Sequence, residues 1–135
     1  MAIVQTATNT FKTQLLNGGF NFTSDTFYIA LYTANANLNE NTTAYTSENE
    51  VVASGYAAQP LTVSITPTSS NDVSYISFNN VSWNAAITAR GALIYKLGAN
   101  GAVCVLDFGS DKTSTATFQV QFPAASSNSA IIRLV

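Results

Sequence analysis

Histidine is absent from this chain of 135 residues, and charge is scarce. Five basic and seven acidic side chains make up 9% of it, against about 25% in ordinary globular domains. Without histidine the commonest general base, the centre of hydrolytic triads and the commonest metal ligand are all missing. The one cysteine excludes an internal disulfide; Cys104 lies in the apolar run Ala102–Leu106 and reads as a small core residue. The bases Lys12, Arg90, Lys96, Lys112 and Arg133 are dispersed, so the chain has no basic stripe of the kind nucleic acid requires. No apolar run approaches the roughly 20 residues of a membrane span. The opening MAIVQTA has neither the charged start nor the apolar core of an export signal. The expectation is a cytosolically made protein without cofactor, nucleic-acid partner or membrane partner.

What fills the chain instead is neutral polarity. Ser, Thr and Asn supply about a third of it, so the surface must be built largely of hydroxyl and amide groups. Freely diffusing monomers usually carry more charge; a neutral skin suits a protein that packs against copies of itself or against partners. At this length a single domain, 1–135, buries roughly two-thirds of its unfolded surface.

The stretch 9–32, NTFKTQLLNGGFNFTSDTFYIALY, organises the rest. Ala7, Phe11 and Leu15 recur at four-residue spacing and predict a helix over 7–17. Thr6 or Thr8 can cap its first amides, and Asn17-Gly18-Gly19 ends it. A helix this short must dock on something. The predicted dock is the strand Thr26–Tyr32, whose two faces (Phe27, Ile29, Leu31 and Tyr28, Ala30, Tyr32) are both apolar, so cover is expected on both sides. Before the helix, 1–5 reads as an extended arm whose Ile3 and Val4 can add to a sheet edge, in the same molecule or a neighbour. After the strand, 33–50 reads as a long exposed loop with bulk only at Leu38 and Tyr45; loops of that length are usually functional or mobile.

The remainder alternates in short runs. Leu61–Thr66 places Leu61, Val63 and Ile65 on one face, and Pro60 and Pro67 are expected to bracket it. Thr68–Asp72 reads as a turn, Val73–Phe78 as a strand, and Val81–Trp83 as a strand carrying a core tryptophan. Ala85–Ala89 reads as a loop. Gly91–Leu97 and Ala102–Phe108 flank Gly98-Ala99-Asn100-Gly101, a hairpin signal. Gly109–Ser114 reads as a polar turn, Thr115–Phe122 and Ala130–Val135 as strands. The fold class expected is all-β: an antiparallel β-sandwich of about seven to eight strands with one short N-terminal helix, a barrel being the second choice.

Reaction chemistry is sparse. Asp107-Phe108-Gly109 matches the magnesium-holding trigram of protein kinases, but no glycine-rich or catalytic loop accompanies it. Glu48 and Glu50, two apart, would share a strand face as a glycosidase pair does; solvated loop charge is the preferred reading. Asn35, Asn37, Asn39 and Glu40 imitate the alternation of a calcium loop without its charge or central glycine. Tyr28, Tyr32, Tyr45, Tyr56, Tyr75 and Trp83 have the faces to stack on sugars, yet such residues in β-sandwiches are more often core. The chain is not expected to be an enzyme.

The order Asn-Thr-Phe-Lys-x-x-Leu-Leu-Asn-Gly, then Phe-x-Phe-x-Ser-Asp-Thr-Phe-x-x-Ala-Leu-Tyr, resembles a widespread group of small tailed-bacteriophage structural proteins. These typically open with a helix of the form F-K-x-x-L-L-N-G followed by a strand D-T-x-K-V-A-L. Gly55-Tyr56, Val73–Trp83, Ala92-Leu93-Ile94-Tyr95-Lys96, Asp107-Phe108-Gly109 and Phe118–Phe122 fall where the group carries its later landmarks. Phe27-Tyr28 departs from it, since relatives often have a charged residue there. The resemblance implies virion assembly: a capsid decoration (cement) protein on the lattice of the major capsid protein, as a homo-oligomer with a trimer favoured. The alternative is a tail or head fibre or adaptor component that contacts host-surface glycans. Ala2, Ile3, Val4, Tyr28, Tyr32, Leu38 and Tyr45 are the expected contact residues.

Overall fold

The computed structural model describes residues 2–135. Its elements in chain order are β1 (Thr6–Ala7), α1 (Asn9–Leu16), β2 (Phe27–Tyr32), β3 (Gln59–Leu61), β4 (Val63–Ser70), β5 (Val73–Phe78), β6 (Val81–Trp83), β7 (Thr88–Tyr95), β8 (Ala102–Thr113), β9 (Phe118–Val120) and β10 (Ile132–Leu134). Ten strands therefore replace the expected seven or eight, because Leu61–Thr66 divides between β3 and β4 and the two-residue β1 precedes the helix. The all-β, sandwich-like class stands. A five-stranded sheet in the order β1-β8-β7-β2-β3 forms one layer, and a three-stranded sheet β10-β5-β4 with the pair β6-β9 forms the other. Every pairing is antiparallel.

The alternation in β2 divides the interior into two. Phe27, Ile29 and Leu31 face the second layer and join Ala92, Ile94, Val103, Ile76, Phe78, Trp83 and Phe118 in the main core. Ala30 and Tyr32 face the other way, with Leu93, Tyr95 and Val105. That outer face is closed by Ile3, Ala36 and Leu38. So β2 is covered on both sides as its two apolar faces require, and its cover is the arm and the 33–50 loop. Ile3 and Leu38 form a parallel bridge, with Val4 N–H donating to Leu38 O at 2.9 Å and Leu38 N–H to Ala2 O at 3.1 Å. The loop is largely exposed as expected, but it lays two buried side chains, Ala36 and Leu38, on this face. Polar composition concealed this because only three small or medium apolar side chains make the seal. Met1, the first residue of the expected arm, lies outside the described residues.

Several boundaries move for identifiable reasons. The helix starts at Asn9 because Thr8 is extended (φ −78°, ψ 154°) and caps it, while Ala7 belongs to β1. Pro67 does not end its strand: β4 runs through it as an edge strand, with one register shift spanning Ile65 to Thr68 and so leaving Pro67 unpaired, the setting in which a missing N–H costs no ladder bond. Thr68–Ser70 is therefore strand, and the turn is reduced to Asn71 and Asp72, both at positive φ (53° and 64°), a two-residue hairpin turn matched to strand twist. The expected polar turn 109–114 is mostly the far end of β8, kinked between the pairs Gly91–Asp107 and Ala89–Lys112. Ala85–Ile87 is a loop as expected, with Ala85 and Ile87 buried, whereas Thr88 and Ala89 open β7. The β7–β8 hairpin forms as its Asn-Gly signal predicts. A Cβ at Gly101 would stand 2.0 Å from Lys96 O, so only glycine fits there.

Candidate interaction surface

The N-terminal helix is fastened at one point. Thr8 is fully buried; its Oγ1 accepts from Phe11 N–H at 3.1 Å and donates to Ala102 O at 3.0 Å. One hydroxyl thus caps α1 and ties it to β8. Phe11 then turns inward against Phe20 (ring centroids 5.0 Å apart, edge-on), while Phe22 stacks on Phe27 at 4.6 Å. Lys96 closes this end of the molecule. Its ammonium lies 4.6 Å from the Phe20 ring centroid, pairs with Asp25 at 3.1 Å and donates to Gly19 O. Asn21 N–H, together with the ammonium, holds the Asp25 carboxyl below its ordinary range.

Below this fastening α1 is not fully packed. Two hollows open on either side of β10, and both are lined by Phe11, Leu15, Ile132 and Leu134. The one toward β4 and β5, of about 260 Å³, adds Phe20, Phe22, Pro67, Tyr75 and Ile76. The one toward β1 and β8, of about 320 Å³, adds Ala7, Val103–Leu106, Lys12 and Arg133. β10 is hydrogen-bonded to β5 alone and β1 to β8 alone. The result is an open apolar groove at a corner of the sandwich.

A second feature sits on the outer face. Tyr95 stacks between Tyr28 (5.8 Å) and Tyr45 (4.8 Å). Glu50 accepts the hydroxyls of Tyr45 (2.5 Å) and Tyr56 (2.6 Å), and Tyr56 in turn accepts from Leu31 N–H at 2.8 Å. The Glu50 hydrogen bond pushes the Tyr45 phenol up to about 12, and burial does the same to Tyr95. Tyr32 and Tyr56 are raised further, mainly by burial. These phenols are therefore hydrogen-bond donors and neutral faces at neutral pH, not bases.

The expected contact residues gather in this outer layer, but mostly as seal. Ile3, Tyr32 and Leu38 are buried within the molecule itself, Tyr32 fully, with its hydroxyl donating to Thr46 O at 2.7 Å. Their contact surface is spent inside the chain. Ala2, Val4 (47% exposed) and Tyr45 (39%) remain outside, and Tyr28 is half-buried. The groove residues Lys12, Ile132 and Arg133 were not legible as a site.

The candidate chemical motifs resolve as structure. Asp107 accepts from Gly109 N–H at 2.9 Å and pairs with Arg90 at 3.0 Å, and both lower its carboxyl. Asn39 Oδ1 accepts from Asn41 N–H at 2.8 Å, and Asn39 Nδ2 donates to Asn37 Oδ1, so these side chains bond one another. Burial pushes the Cys104 thiol up to about 12. Trp83 is a core anchor whose Nε1 donates to Ala57 O at 2.7 Å. Among the described residues no three His, Cys, Asp or Glu side chains gather as a metal site, and no helix is long and apolar enough to cross a membrane.

No family model, curated protein or solved structure matches this chain. The functional reading thus stands on its own residues.

Proposed function

We propose that this chain is a structural protein of a tailed-bacteriophage particle, a decoration protein that binds the outer lattice of the major capsid protein. It would assemble in the host bacterial cytoplasm and reside in the virion. The observation that carries the reading is the open apolar groove between α1 and β10 on a molecule whose skin is otherwise almost free of charge. Exposed concave apolar surface of this kind marks interaction sites. Four of the twelve charged side chains neutralise one another, in Arg90–Asp107 and Lys96–Asp25. The resemblance of the helix–turn–strand unit to phage structural proteins supplies the particle. The energetics are those of repetition: a modest contact, made many times on a lattice, sums to a strong one. Co-sedimentation of the purified protein with phage heads that lack it, followed by electron cryomicroscopy, tests the proposal. Density on the head at lattice symmetry points is expected; density confined to the tail overturns it.

A second reading, a tail or fibre component touching host glycans, is favoured by the Tyr28–Tyr95–Tyr45 stack with Glu50 hydrogen-bonded beside it. Aromatic faces next to a carboxylate suit sugar rings. Binding of the isolated protein to a glycan array, lost in Tyr45→Ala, supports this reading; an array without binding overturns it.

A further inference from the structure

The sandwich is closed along one edge and open along the other. On the closed edge β3 of the first layer runs into β4 of the second with only Thr62 between them. On the opposite edge β9 is hydrogen-bonded to β6 alone and β10 to β5 alone. There β1 covers β8 only at Cys104 and Val105. From Leu106 onward the outer edge of β8 has no strand beside it, and Asp107 N–H donates to the Gln5 side chain at 3.1 Å. Three open strand edges thus border one seam.

Three hollows run along this seam and share walls. The one toward β1 and β8 meets the next at Gln5, Leu106 and Ile131, and that one meets a third at Phe108, Val120 and Gln121. Their volumes are about 320, 190 and 430 Å³. The seam is a continuous trench, about 20 Å long from Val105 to Lys112 at strand rise. Its floor is the main core left half covered. Leu15, Leu106, Phe108, Phe122, Ile131 and Ile132, six of the ten partly buried apolar residues packed against that core, line it.

The charges are as one-sided as the floor. Arg90 and Lys96 are held in ion pairs, and every other base, Lys12, Lys112 and Arg133, lines the trench. Arg133 donates to Ser127 O at 3.2 Å, whereas both lysines are exposed and in no ion pair among the described residues. The one acid on the trench walls is Asp107, which Arg90 already pairs. Glu40, Glu48 and Asp72 line none of the three hollows, nor does Asp111 next to Lys112. A chain of net charge −2 therefore carries a positive trench.

Open edges call for peptide N–H and C=O groups, the floor for apolar side chains at every second position, and the lysines for carboxylates. We propose that the trench receives an extended acidic segment of a partner protein as an added strand, between β8 on one side and β9 and β10 on the other. Its apolar side chains turn onto Leu106, Phe108 and Ile131, and its carboxylates meet Lys12 and Lys112. About six to eight residues span the two lysines. Nucleic acid would answer the cations but neither the edges nor the floor. The inference deepens the reading of this corner as an interaction surface and rests on it.

An NMR titration of the purified full chain with a blocked peptide of about eight residues, alternating valine and glutamate, tests it. The peptide is expected to bind, less tightly as salt screens the charges, and to shift amide signals in Leu106–Thr113, Phe118–Val120 and Ile132–Leu134. The same peptide N-methylated at alternate residues, which cannot pair as a strand, should bind at least about tenfold more weakly, as should the peptide with lysine for glutamate. Lys12→Glu combined with Lys112→Glu, both exposed positions, should reverse the preference between the acidic and basic peptides, a gain that no loss of folding produces. Absence of binding at millimolar peptide, equal binding of all three peptides, or shifts confined to other strands overturns the proposal. So does an oligothymidylate that binds as tightly as the acidic peptide. So does self-association of the wild type in sedimentation velocity that the two reversals abolish, since the trench then belongs to a second copy. Peptide binding by a chain that gives no density on heads would overturn the decoration reading and leave this site standing; head binding that survives both reversals would do the opposite.

Discussion

Replacing Thr8 with valine removes the hydroxyl while keeping the side-chain shape, and so isolates the fastening of α1. The hydroxyl makes two bonds at a fully buried position: it accepts from Phe11 N–H and donates to Ala102 O. Loss of an N-cap costs about 1 kcal/mol. A buried carbonyl left without its donor costs about 1–3 kcal/mol more. Thr8→Val should therefore destabilise the protein by about 2–4 kcal/mol. Thr8→Ser, which keeps the hydroxyl and loses one methyl, should cost only about 1 kcal/mol. Urea unfolding reads the difference directly. With a slope of about 2 kcal/mol per molar, Thr8→Val moves the midpoint down by about 1–2 M with the slope unchanged. The reasoning fails if Thr8→Val lies within about 0.5 kcal/mol of wild type, or if Thr8→Ser is as damaging as Thr8→Val. In the first case the cap and the tie to β8 contribute nothing. In the second, packing and not hydrogen bonding holds the helix.

Three further outcomes follow from the same structure. The buried tyrosines keep their protons above the ordinary phenol value while the unfolded chain loses them, so stability should be level up to about pH 10 and fall beyond it; phenolate absorbance that rises before unfolding would contradict this. Asp25 and Asp107 have depressed carboxyls, so their contribution is present above the usual carboxylate value and lost as pH falls through the lower folded one; Asp107→Asn should flatten the acid limb of stability measured against pH. In Gly91→Ala the new Cβ would stand 2.5 Å from Leu106 O and 2.9 Å from Ile3 Cγ2, so the variant should lose about 1–3 kcal/mol and show faster amide exchange at Val4 and Leu38, whose bonds hold the arm.

Where apolar residues alternate and turn residues punctuate them, the strands could be read in advance. Val73–Phe78 is matched end to end, and Thr8, Phe11 and Gly18 take up the capping, docking and stopping roles their types suggest. The failures share one cause, which is long-range cover. Pro67 breaks a central strand but not an edge one, and edge position is a property of the whole sheet. Loop 33–50 looks solvated until Ile3, Ala36 and Leu38 are seen to meet over Leu93 and Val105. Tyr32, expected as a contact residue on a covered face, is covered by the chain's own arm and loop. The groove was out of reach altogether, because its walls, Phe11 and Ile132, come from opposite parts of the chain.

The place of β8 in the sheet carries a consequence for how the molecule comes into being. β1 and α1 are synthesised before β8, the strand that receives both, with 94 residues between Thr8 and its partner Ala102. On the ribosome, then, the amphipathic helix has no platform until β8 has emerged. Its Phe11 and Leu15 stay wet or find transient company until the late hairpin closes. Docking of α1 is accordingly a slow event dominated by distant pairings, and the helix is among the last elements of this domain to settle.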